Sequence, residues 1–112
     1  DFERLQGMSL SYVPDRFTLA DAFIADPLVA YDYVDSSEGF LAVIARMPTG
    51  TPMLFDTEGV VMHEITYDGQ IAYWWEKGQI SYFIFQRDGY EISITGMLGH
   101  DEAIKIADNI LL

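Results

Sequence analysis

The order of apolar and polar positions is clearest over residues 60–112, where four strand-like runs separated by Asp68-Gly69, Lys77-Gly78 and Asp88-Gly89 lead into one amphipathic segment. Asp-Gly pairs between alternating runs favour two-residue primed hairpin turns, because both central residues of such a turn take positive φ. Tight turns at all three places pair residue 67 with 70, 76 with 79 and 87 with 90, and the two faces then follow by counting alternate positions. One face gathers Val61, Ile65, Ala72, Trp74, Phe83, Phe85, Ile92 and Ile94, with His63 and Ser81 among them, and is the expected core face. The other gathers Met62, Ile71, Tyr73, Trp75, Ile80, Tyr82 and Ile84 between polar residues. In this register Tyr73 stands opposite Tyr82, and Trp75 opposite Ile80.

The closing segment switches to a helical period. Ala103, Ile106, Ala107, Ile110 and Leu111 recur at i, i+3, i+4, i+7 and i+8. Asp101 and Glu102 in the first turn suit the positive end of the helix dipole. The small Ala103 and Ala107 let the helix axis come close to a sheet, which predicts docking over Phe83 and Ile94.

The first half is less regular. Residues 1–7 read as an arm or linker, and residues 8–13 as a short strand stopped by Pro14, which has no N–H for a sheet ladder. Residues 17–25 fit a helical stripe and a pleated surface alike; Thr18, Phe23 and Ile24 favour the strand. Residues 28–34 and 40–47 form a hairpin by composition around Asp35-Ser36-Ser37-Glu38-Gly39. Residues 47–59 read as a long connection carrying the apolar patch Met53-Leu54-Phe55. The expected fold is α+β: a curved antiparallel sheet, its C-terminal half a four-strand meander, with a C-terminal helix on one face. With 112 residues the chain is expected to make a single domain.

Charge narrows the partners. Eighteen acidic residues against six basic ones give a net charge of -12, which repels phosphate backbones and anionic membrane surfaces, so nucleic acid is not expected as a partner. No apolar run is long enough to span a bilayer, so this segment is not expected to insert into a membrane. The absence of cysteine removes disulfides, thiol catalysis and cysteine-ligated zinc together.

Catalytic signatures are missing. His63 and His100 have no second His or Cys at ligand spacing, so no metal is expected. Asp32, Asp35, Ser37 and Glu38 offer oxygens but lack EF-hand spacing, and turns are rich in these residues anyway. No Gly-x-Ser-x-Gly elbow and no phosphate-binding loop occur, and no cofactor is expected. The sharpest feature is aromatic: Tyr73, Trp75 and Tyr82 on the second sheet face are the candidate ligand- or partner-binding residues, since Tyr and Trp bury large area while keeping a polar handle. The competing expectation is that the strands of the first half curl over this face and make it a second core.

The runs Ile71-Ala72-Tyr73-Trp74-Trp75-Glu76, Tyr90-Glu91-Ile92-Ser93-Ile94-Thr95-Gly96 and Asp101-Glu102-Ala103-Ile104-Lys105-Ile106-Ala107-Asp108-Asn109-Ile110, with residues 79–85 between the first two, together resemble the end of a bacterial family of unknown function. Arg16, in Pro14-Asp15-Arg16-Phe17, stands where that family usually has glycine. The resemblance implies a domain held outside the membrane behind a single transmembrane helix, in anti-sigma-factor-like and lipoprotein-like proteins, and it carries no catalytic residues. The resulting expectation is a non-enzymatic extracytoplasmic binding or sensing domain of a membrane-anchored bacterial protein, a sigma-factor regulator among its forms. Its anchor, a transmembrane helix or a lipid, would lie upstream, and its partner would be a protein, a peptide or a cell-envelope ligand. The alternatives are a carrier of a hydrophobic small molecule or lipid chain, and a hydrolase with an unrecognised site.

Overall fold

Turn chemistry sets the register of the second half. In the computed structural model, which describes residues 1–48 and 57–112, Asp68 and Gly69 take φ of 53° and 75°, and Asp88 and Gly89 take 53° and 85°. Positive φ at both central residues is the type I′ pattern, and the flanking pairs are Tyr67 with Gln70 and Arg87 with Tyr90, as the sequence predicts. The middle turn differs. Gly78 alone has positive φ, 63°, so it occupies the first central position of a type II′ pattern and the turn is Gly78-Gln79. Lys77 therefore pairs with Ile80, Trp75 with Tyr82 and Tyr73 with Ile84, which corrects the expected pairings of Tyr73 with Tyr82 and Trp75 with Ile80. The shift is two residues, one full period of the pleat, so every side chain keeps its predicted face.

These turns join β5 (His63–Tyr67), β6 (Gln70–Lys77), β7 (Ile80–Arg87) and β8 (Tyr90–Gly96) into the expected meander. The first half supplies β2 (Thr18–Ala25), β3 (Leu28–Val34) and β4 (Phe40–Arg46), also consecutive and antiparallel. The two meanders join where β4 pairs antiparallel with β8, giving one seven-stranded sheet in the order β2-β3-β4-β8-β7-β6-β5. Strands β2 to β4 thus extend the sheet sideways, in line with the second meander. Gly96 is needed at this junction, since a Cβ there would lie 2.4 Å from the Phe40 carbonyl oxygen.

One face carries a layer of helices. The C-terminal helix α2 (His100–Asp108) packs on the sheet, burying Ala103, Ile106 and Ala107 in one cluster with Phe83, Phe85, Ile92 and Ile94. Glycine at the N-cap offers no side chain, but Glu102 Oε1 accepts from the Gly99 N–H at 3.0 Å. The helix ends sooner than the periodicity predicts. Ile110 is buried from a two-residue strand, β9 (Ile110–Leu111), paired with β1 (Ser9–Leu10), while Leu111 faces solvent. Residues assigned to an arm instead form a short helix, α1 (Phe2–Gln6), N-capped by the Asp1 carboxylate, whose buried Leu5 joins the same core.

The expected core face holds except at its margin. Val61 precedes β5 and is 74% exposed, and His63 is exposed because β5 is an edge strand beyond the packed layer. The Met53-Leu54-Phe55 patch lies outside the described residues.

Candidate functional site

Pleating alternates side chains, so the face opposite the helices can be read as cross-strand rows. One row crosses the whole sheet: Phe23, Ala30, Ile44, Ser93, Ile84, Tyr73 and Glu64, each directly opposite the next. The adjacent row runs Asp21, Asp32, Ala42, Thr95, Tyr82 and Trp75. Ser93 sits at the middle of the first row between Ile44 and Ile84, Ala42 and Thr95 sit at the middle of the second, and Tyr73, Trp75 and Tyr82 cluster on β6 and β7.

The three candidate residues come together on this face. Trp75 and Tyr82 are direct partners, their rings stacked at 4.8 Å between centroids and 7° between planes. Tyr73, two residues along β6, is 39% exposed, and Ile71 beyond it is 57% exposed. Trp75 is buried at 1% exposure and Tyr82 is half-buried, so the cluster has a closed end at Trp75 and an open end at Tyr73. In the floor of the central row the Ser93 hydroxyl is buried without a hydrogen-bond partner among the described residues.

Asp35 is engaged in structure. Asp35 Oδ1 accepts from the Ser37 and Gly39 amides at 2.7 Å each, which makes it the organiser of the β3–β4 turn. Among the described residues no three His, Asp or Glu side chains gather in a group able to hold a metal ion. His100 opens α2 and meets the Trp74 ring edge to face at 4.6 Å, while His63 lies opposite Trp74 on β5.

Arg87, which the sequence reading passed over, is the main electrostatic junction of the covered face. Its guanidinium donates to Asp68 at 2.7 and 3.0 Å, to the Tyr67 hydroxyl at 3.1 Å, and to the carbonyls of Ala107 and Ile110 at 2.9 and 3.0 Å. It thereby ties the last turn of α2 and the start of β9 to the β7–β8 hairpin, with its positive charge at the negative end of the helix dipole. Tyr67 in turn donates to Asp108 Oδ1 at 2.7 Å, and burial, reinforced by this hydrogen bond, pushes its hydroxyl above the ordinary tyrosine range. The only sequence signal for this junction is an arginine next to an Asp-Gly turn, which is common on surfaces.

The chain matches the family described as Domain of unknown function (DUF4367) over residues 8–110, and it belongs to that family. No curated protein matches it.

Proposed function

We propose that this is a non-enzymatic extracytoplasmic binding or sensing domain of a membrane-anchored bacterial protein, a sigma-factor regulator among its forms, which meets a protein or peptide partner or a cell-envelope ligand through the aromatic end of its open sheet face. The observation that carries the reading is the exposure of Tyr73 and Ile71 beside the stacked Trp75–Tyr82 pair, on the sheet face opposite the helices. An aromatic surface supported by a rigid sheet offers contact area at low entropic expense, because the side chains are already held in place. The extracytoplasmic setting is supported by the sequence resemblance, and the acidic surface suits a cationic or neutral partner better than nucleic acid. No helix among the described residues is long and apolar enough to cross a membrane.

The test replaces Tyr73 by Ala, alone and together with Ile71→Ser. Both side chains are exposed, so the variants should fold with nearly unchanged melting temperatures. Pull-downs from a bacterial envelope extract should then lose the proteins or lipids retained by the wild-type chain. Undiminished capture by the folded double variant would remove this face from consideration.

A further inference from the structure

Strand β2 differs from every other long strand of the sheet. All eight of its residues are exposed, including Leu19 at 51%, Phe23 at 55% and Ile24 at 49%, so neither of its faces is covered. Among the described residues it is also an edge strand, paired on one side only, with β3. A bulge interrupts the pairing between Leu19 and Asp21, and residues 22–25 then run one-for-one against residues 31 to 28. Alternate N–H and C=O groups of that regular stretch point away from β3, and no strand among the described residues receives them.

Soluble proteins usually guard such an edge with charged residues, lysine above all, with proline, with a bulge or with a covering element, and residues 22–25, beyond the bulge and Asp21, carry none of these. Here β2 has no proline and no basic residue; residues 17–45 contain no Lys, Arg or His at all, but do contain Asp21, Asp26, Asp32, Asp35 and Glu38. Asp21 and Asp32 stand directly opposite each other on one face of the β2–β3 pair, an arrangement that is destabilising when nothing lies between the charges. Neither forms a salt bridge among the described residues; Asp21 Oδ1 only accepts from the Ala22 amide at 2.9 Å. The arginines of the chain are committed elsewhere, Arg4 to Asp88, Arg16 to Glu102, Arg46 to Glu91 and Arg87 to Asp68.

We infer that the free edge of β2 takes an extended, cationic segment of a partner protein as an added strand, with a Lys or Arg of that segment set against Asp21 and Asp32. Backbone pairing along residues 22–25 supplies affinity, Phe23 and Ile24 supply apolar contact on the two faces, and the carboxylate pair selects basic sequences. A second copy of this chain is the poorer occupant. Edge-to-edge pairing of two β2 strands brings both carboxylate pairs together, between chains that each carry a net charge of -12. The other edge, β5, is shorter and does not combine these features.

The probe is a short blocked peptide alternating lysine and valine, added to the full chain, with binding followed by anisotropy and its position mapped by amide hydrogen exchange. Two control peptides accompany it, one with glutamate for lysine and one with alternate backbone nitrogens methylated. The expected result is slowed exchange at residues 19–25, no binding of either control, and affinity lowered roughly tenfold or more by the D21N/D32N double variant. That variant keeps side-chain size at exposed positions and should melt no lower than wild type. Equal binding of the methylated peptide, protection centred on β5 to β7, unchanged affinity in D21N/D32N, or a dimer of the chain with the same protected amides would each overturn the inference. Tyr73→Ala lies at the far side of the sheet and should leave this binding unchanged, so this edge and the aromatic face fail separately.

Discussion

The two faces of a single strand, β6, lead different lives. Ala72 and Trp74 point to the helices and are 0% and 7% exposed, whereas Ile71 and Tyr73 point the other way and are 57% and 39% exposed. Both sets are apolar or aromatic, so the contrast does not come from the residues of β6. It comes from α2 and α1, which place Ile106, Ala103 and Leu5 over one face. An apolar strand face is an opportunity for packing; whether it becomes core or surface is decided by segments far away in the chain.

Trp75 tests that contrast hardest, because it lies on the face away from the helices yet is 1% exposed. Trp75→Ser should destabilise the domain by about 3 to 5 kcal/mol, in the range of other buried large-to-small changes, while Tyr73→Ser two residues away changes stability by less than about 1 kcal/mol. Urea denaturation of the two variants decides it. Similar effects for both would mean that the cluster has no closed and open ends.

On the covered face, Ile106→Ala and Ile110→Ala should each lower stability by about 2 to 4 kcal/mol, since both side chains are buried against the sheet. Ile110 sharpens the comparison, because it is held by β9 and not by the helix. A neutral thermal shift for both would mean that the helix layer contributes little to the covered face.

Arg87→Met should lower stability by about 2 to 3 kcal/mol, because it strips partners from two backbone carbonyls and from Asp68 while keeping most of the side-chain volume. The loss should appear first as faster amide exchange in the last turn of α2. Uniform exchange changes across the sheet would argue that Arg87 acts through the hairpin alone.

Much of this architecture was legible in the chain, and the parts that were not have physical causes. The Asp-Gly turns placed β5 to β8 correctly because type I′ geometry admits few residues. The Lys77-Gly78 turn misled by two residues, since glycine also serves as the first residue of a type II′ turn. Faces survived that error, so Tyr73, Trp75 and Tyr82 fell on one face as expected, although their mutual pairing did not. The end of α2 was missed because Ile110 satisfies a helical period and a strand equally well. The exposed edge of β2 was not anticipated, because sheet order is a long-range property and residues 17–25 carry only local information.

The smallest effect concerns the tie between the chain ahead of β2 and the start of α2. Arg16 donates to both carboxylate oxygens of Glu102, at 2.6 and 3.0 Å, and this hydrogen bonding, helped by the Gly99 amide, holds the Glu102 carboxyl below the ordinary glutamate range. A folded-state pKa below the unfolded one means that the pair's contribution is complete above the unfolded value and is lost as pH falls through the lowered one. Both side chains are partly exposed, so the contribution is below about 1 kcal/mol. Acid also neutralises the other carboxylates of this strongly acidic chain, which relieves repulsion and obscures a small signal in the wild type alone. The informative quantity is the stability difference between wild type and Glu102→Gln. It should be largest near neutral pH and shrink toward zero in acid below the lowered pKa, and a difference that stays constant across that window would show that Arg16 is held by the Met97 carbonyl and the Phe17 ring without help from charge.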